Sequence, residues 1–201
     1  MKGWILAAVL AVVLAGAGWY VFGSSSNHPI PPDTIESIST INPNAMPMTL
    51  MSPAFEEGGA IPEKYTCDGP NVNPELSWAG APEGTKSFAL IMDDPDIPES
   101  VKQARGIRVF DHWVVYNIPA EIMRIPESAK PPGVEGLNGS QKSAYTGPCP
   151  PDAEHRYFFY LYALDTTLAF DAPPSRAEVE AAIKGHVLAE GQLMGKYDRK
   201  R

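Results

Sequence analysis

With 201 residues, 44% of them hydrophobic, the chain is long enough for one domain with a substantial core and an appendage. Its formal net charge of -8 argues against nucleic acid as a partner and against attraction to anionic lipid surfaces. The basic tail Lys196, Arg199, Lys200, Arg201 is short and terminal, and reads as a solvated end.

From Gly3 to Gly23 no residue is charged, and about 20 apolar residues rising 1.5 Å each would cross a hydrocarbon core roughly 30 Å thick. The sequence therefore predicts a transmembrane helix over residues 1–23, with Trp4, Trp19 and Tyr20 as interfacial anchors. Lys2 precedes the segment and no Lys or Arg follows until Lys64, so the charge bias predicts a single-pass cell-membrane protein with its domain outside the cytoplasm. The small residues Ala15 to Gly18 leave open a cleaved signal peptide and a secreted or periplasmic product. Residues 24–46 carry Pro29, Pro31, Pro32 and Pro43 without a sustained hydrophobic period and read as an extended linker. His28 lies within it and has no assigned role.

The domain is expected over residues 47–201. "MTLMSPAF" (48–55), "KSFALIMDD" (86–94), "HWVVYNIP" (112–119) and "RYFFYLYALD" (156–165) read as strands bounded by Pro, Gly or Asp. Alternation through the last run places His155, Tyr157, Phe159 and Leu161 on one face and Arg156, Phe158, Tyr160 and Tyr162 on the other. Both faces are largely apolar or aromatic, which predicts a central strand in a sandwich or large packed sheet. "SRAEVEAAIKGHVLAEG" (175–191) opens with a capping box, Ser175 and Glu178, and carries Val179, Ala182, Ile183 and Val187 at helical spacing. It is expected to be a C-terminal helix that includes His186.

Three polar signals sit at strand ends: His112, His155 and the acidic turn Asp93, Asp94, Asp96 between Pro95 and Pro98. Pro95 and Pro98 hold the backbone away from helix and direct the carboxylates. No G-x-S-x-G elbow is present for a serine hydrolase, the three aspartates are too close in sequence to straddle a glycoside, and no glycine loop opens a helix to cradle phosphate. Two histidines and Asp94 could ligate zinc in principle, but their spacing gives no local support, so no metal and no cofactor is expected.

The ordered motifs "YTCDGPNVNPELSW", "LIMDDPDIP", "DHWVVYNIP", "GPCPP" and "HRYFFYLYALD" resemble the phosphatidylethanolamine-binding protein family, also called Raf kinase inhibitor-like, in its prokaryotic branch. The resemblance runs from about Met48 to Tyr197. It implies a mainly β fold, an antiparallel two-sheet sandwich with peripheral helices, and a small anion pocket at the end of the central sheet. Carried over motif by motif, the pocket would draw on Asp94, Pro98, His112, the loop Gly147 to Pro151 with Gly147 and Pro150, His155 and Tyr157. The sequence departs from the family where Ala153 stands in place of a glycine after the two prolines, and in the longer stretch 97–110, whose Lys102, Arg105 and Arg108 either rim the pocket or lie in a solvated loop.

A pocket of this kind would receive an anion through His112, His155 and the Tyr157 hydroxyl, aided by loop amides. Asp94 would repel a bound phosphate, so it is expected either to face an imidazole and favour the imidazolium, or to be protonated and donate. The predicted function is a membrane-tethered extracytoplasmic binding domain for a phosphate-like anion or phospholipid headgroup, with affinity that falls as pH rises through the histidine pKa. The alternatives are a kinase-inhibitor-like protein that binds an unknown protein partner, and a weak phosphoester or ester hydrolase that uses the histidine pair for proton transfer. Cys67 and Cys149, the only cysteines, each lie beside a Gly/Pro turn and are either a disulfide or two buried thiols.

Overall fold

A computed structural model describes Asn42 and residues 44–200. The chain passes through β1 (Met46–Pro47), β2 (Thr49–Met51), β3 (Leu76–Ala79), β4 (Ser87–Asp94), α1 (Glu99–Arg105), β5 (Phe110–Pro119), β6 (Arg124–Ile125), β7 (Val134–Glu135), β8 (His155–Leu164), α2 (Arg176–Ile183) and β9 (Val187–Tyr197). One sheet has the order β1-β9-β8-β4-β5-β7 and the other β2-β3-β6. All pairings are antiparallel except β1 on β9, where Met46 lies opposite Ala189.

β4 and β8 lie in the middle of the larger sheet because both of their faces are apolar. Phe88, Leu90, Phe159 and Leu161 face the smaller sheet and meet Leu50 and Trp78. Ala89, Ile91, Tyr160 and Tyr162 face the other way, toward a core that Val179 and Ile183 of α2 help to close. Burying such a side chain fully stabilises by about 1.5–3 kcal/mol, so reversing either alternation by a one-residue slip is strongly disfavoured.

The expected transmembrane helix is corrected. Among the described residues no helix is long and apolar enough to cross a membrane. α1 and α2 have 7 and 8 residues, roughly a third of what a bilayer core requires. Residues 1–23, where the helix was placed, lie outside the described residues, as do nearly all those of the expected linker. The single-pass location with the domain outside the cytoplasm falls with it.

Two further expectations change. The predicted C-terminal helix has its capping box, with Ser175 Oγ accepting from the Glu178 amide and the Glu178 carboxylate accepting from Ser175 N–H, but ends at Ile183. Val187 to Tyr197 form β9, which pairs along almost the whole of β8. His186 therefore lies outside the helix, exposed, with Nδ1 2.8 Å from Asp165 Oδ1. The long stretch after Asp96 contains α1, which buries no residue and ends on Gly106 in the left-handed conformation.

Candidate functional site

The acidic turn at the end of β4 sends its three carboxylates in three directions. Asp93 crosses to the α2 side, where it pairs with the Arg176 guanidinium, which also reaches Asp111 and Glu180. Asp94 points to the opposite face. Its Oδ2 lies 2.7 Å from His155 Nδ1, and its Oδ1 accepts the Asp96 amide at 2.8 Å. Asp96 binds Arg156 through both oxygens, Nε at 2.8 Å and Nη2 at 2.6 Å, and also accepts the Arg156 amide. This turn thereby locks the start of β8 to the end of β4.

His155 and Tyr157 share a face of β8, as two-residue spacing requires, with rings 6.4 Å apart at 25°. A bulge adds His112. Met92 pairs with Trp113 but Asp93 pairs with Asp111, so His112 is the extra residue of β5. It joins the Tyr157 side, ring edge toward Tyr157 at 5.2 Å, while Asp111 faces Arg176.

The Gly147 to Pro151 loop is fastened to the segment from Cys67 to Asn71. Gly147 N–H donates to Asn71 Oδ1 at 2.7 Å, Cys67 N–H donates to the Pro148 carbonyl at 3.0 Å, and Cys67 and Cys149 form a disulfide. A side chain at Gly147 would place its Cβ 2.2 Å from the Tyr65 carbonyl oxygen, which is why the loop needs glycine there. Pro150 is buried. Pro98 stands at the start of α1, where its carbonyl accepts the Val101 and Lys102 amides. Lys102 and Arg105 lie on α1, and Arg105 covers the Phe110 ring at 5.9 Å.

The two histidines are in opposite electrostatic states. His112 is buried, and burial pushes its pKa down to about 4 against the help of the Thr146 carbonyl. Nδ1 lies 2.6 Å from that carbonyl and must donate, which leaves Nε2 with a lone pair on the neutral ring. Burial alone would also lower the His155 pKa, but hydrogen bonds to Asp94 and Asp152 overcome it and move it upward. Asp152 Oδ1 lies 2.9 Å from His155 Nε2. With a carboxylate on each nitrogen, the ring carries two N–H groups and the imidazolium is favoured. Burial raises the Asp94 pKa, opposed by His155.

Burial also raises the pKa of the Tyr157 hydroxyl, with the Asp94 charge adding to it and the Cys149 backbone opposing. None of these neighbours closes a hydrogen bond to it, and Oη is buried without a partner.

The structure thus brings Asp94, His112, His155 and Tyr157 together, with the loop close by. Asp152, Asn71 and Thr146 take part as well and were not anticipated. Among the described residues no group of three His, Cys, Asp or Glu side chains could hold a metal ion. Two cavities lie elsewhere. One of about 240 Å³ is lined in part by Pro47, Met48, Tyr160 and Tyr162, and one of about 530 Å³ in part by Thr49, Met51, Phe55 and Leu193. Neither contains a residue of this cluster.

A family model described as phosphatidylethanolamine-binding protein matches residues 51–198. A UPF0098 protein of Methanothermobacter thermautotrophicus is 46% identical over 158 residues, covering 76% of this chain and 99% of its own. One from Chlamydia pneumoniae is 43% identical over 152 residues, with the same coverage. Among solved structures, a phosphatidylethanolamine-binding protein homolog from Chlamydia trachomatis superposes with a TM-score of 0.72 at 39% identity, covering 78% of this chain and all of that one. E. coli YbcL, described as a member of the mammalian family, gives a TM-score of 0.67 at 31% identity, covering 76% of this chain and 99% of that one.

Proposed function

The chain belongs to the phosphatidylethanolamine-binding protein family, and from that premise we propose that it is a binding protein for a small oxyanion, a phosphate or the phosphate of a phosphorylated headgroup. The observation that carries this reading is the Tyr157 hydroxyl, a buried donor with no hydrogen-bond partner, set beside His155, whose inner nitrogen is bonded to the buried Asp94 and whose outer nitrogen is covered by the exposed carboxylate of Asp152. A buried polar group left unpaired costs about 1–3 kcal/mol, and an anion seated between Tyr157 and His155 would satisfy it.

Asp94 fits the role of a counter-charge behind the receptor. It orients His155 through Nδ1 and favours the imidazolium, so the ring can present charge toward a ligand. His112, being neutral, contributes differently. Its Nδ1 proton is committed to Thr146, so Nε2 accepts, and a ligand that carries a P–OH would complement it. The cationic receptor is therefore His155 alone. Binding should persist above the ordinary histidine pKa of 6.5 and weaken as pH rises through the raised His155 value.

Calorimetry with inorganic phosphate and with phosphoethanolamine near pH 6 tests this. Saturable binding that His155→Gln abolishes supports the reading, and the two ligands separate free phosphate from headgroup recognition. An affinity unchanged in His155→Gln, or no binding of either ligand, refutes it.

A further inference from the structure

Asp152 stands where a ligand's oxygen would be expected. The inner nitrogen of His155 faces Asp94, whose side chain is only 4% exposed, and the outer nitrogen faces Asp152, which is 55% exposed. His155 itself is 2% exposed, so Asp152 shields the edge of the ring that looks outward. Structurally the ring does not need a second carboxylate. Asp94 already orients it and balances its charge, and adding Asp152 leaves the trio with one net negative charge, the wrong sign for an anion receptor.

The attachment of Asp152 is local. Oδ1 accepts from His155 Nε2 at 2.9 Å and from the Ala153 amide at 3.0 Å, both within three residues of Asp152 in the chain. Residues 151–154 are all exposed. A side-chain rotation would therefore free Nε2–H without disturbing the strand. Asp152 also fails to reach the neighbouring donor, since the Tyr157 hydroxyl remains without a partner. Of the two donors His155 and Tyr157, Asp152 reaches only the first, and a phosphate, with several oxygens, could accept from both.

From these contacts, and resting on the anion-binding reading above, we infer that Asp152 is an internal anion that occupies the outer nitrogen of His155 and that a ligand must displace. It sets the affinity threshold of the site. Only an oxyanion able to bridge His155 and Tyr157 gains more than the site loses when Asp152 leaves.

A ligand that binds only the displaced state has an affinity reduced by the fraction of that state. Removing one charge-assisted contact from an exposed carboxylate should therefore tighten phosphate binding about tenfold. Asp152→Asn removes the charge and keeps an acceptor, and Asp152→Ala removes both. Each is compared with the wild type and His155→Gln by calorimetry with inorganic phosphate near pH 6, after thermal melts show that all four proteins are folded. Tighter binding in both Asp152 variants, with loss in His155→Gln, is the expected result. If His155→Gln abolishes binding while both Asp152 variants match the wild type or bind more weakly, the displacement role is overturned and the anion site stands. If His155→Gln binds as the wild type does, or none of the four binds phosphate, the anion-binding reading fails and this inference fails with it.

Discussion

Asp93 and Asp94 are neighbours in the chain that serve opposite faces of one sheet, and His112 and His155 are the same residue type driven to opposite charge. Environment decides both. For His112, burial lowers the pKa to about 4, from an ordinary 6.5. A group depressed in the fold stabilises it above the unfolded value and loses that contribution as pH falls through the folded one, here between 6.5 and about 4. The amount at stake is on the order of 3 kcal/mol. Asp93 acts in the other sense over the same window, because burial, opposed by Arg176, raises it to about 6 and its protonation favours the fold. His112→Asn, which can still donate to Thr146, separates the two, since Asp93 is common to both proteins. In urea unfolding the stability difference between wild type and variant should be larger at pH 7 than at pH 4.5. A difference independent of pH would show that the imidazole is not kept neutral. Tyr157→Phe gives a second test at this scale. The hydroxyl has no partner, so its removal should leave stability unchanged or raise it by up to about 1–3 kcal/mol, while phosphate affinity falls roughly tenfold if Oη is a ligand donor. A large loss of stability with unaltered binding would show that the hydroxyl serves the fold instead.

Among the secondary-structure elements, β9 shows what composition hides. Its buried positions are Val187, Ala189, Gly191, Leu193, Gly195 and Tyr197, every second residue, yet two of the six are glycines, so the run lacks the apolar signature of a strand. Helical spacing at Val179, Ile183 and Val187 then carries the reading past the true helix end. The glycines are there because other chain segments cross over them. A Cβ on Gly195 would lie 2.5 Å from Ile61 and 2.8 Å from the Phe55 ring. Gly195→Val should therefore destabilise by about 1–3 kcal/mol through overpacking, read as a lower urea midpoint with an unchanged slope, and Gly195→Ala by less. If Gly195→Val were neutral, the Phe55 to Ile61 segment would not be packed on β9. β4, β5 and β8 were legible in the sequence because alternation and β-branched or aromatic residues agree in them. His155, Tyr157 and Asp94 were legible as a group through ordered motifs. Asp152 was not, since an acidic residue in an exposed loop looks like any solvated one until the chain is seen returning it to His155 three residues later. The bulge at His112 was also hidden, because it is a property of the pairing between two strands and not of either strand alone.

For the molecule as a whole, the Cys67–Cys149 bridge spans 82 residues and encloses β3 to β7, so it constrains much of both sheets in the unfolded chain. The chain-entropy estimate for a loop of this size is about 4.5 kcal/mol, an upper figure where the reduced chain retains structure. The bridge is not the only fastening at this point. The Cys67 amide to the Pro148 carbonyl, Gly147 N–H to Asn71 Oδ1, and the Tyr145 hydroxyl to the Tyr65 carbonyl at 2.8 Å all join the same two segments. Those bonds hold in the folded state whether or not sulfur links the chain, whereas the entropic effect belongs to the unfolded state. Stability and site geometry should therefore separate. The double variant Cys67→Ser, Cys149→Ser should lose about 2–4 kcal/mol in urea unfolding. Its phosphate affinity, measured well below the unfolding midpoint, should stay within about threefold of the wild type, because His155 and Tyr157 are carried by β8 and Asp94 by β4. A variant that keeps its stability would mean the unfolded chain is already compact around this loop. One that keeps its fold but loses phosphate would mean that the loop wall, held in place by the bridge, contributes ligand contacts of its own through its backbone amides.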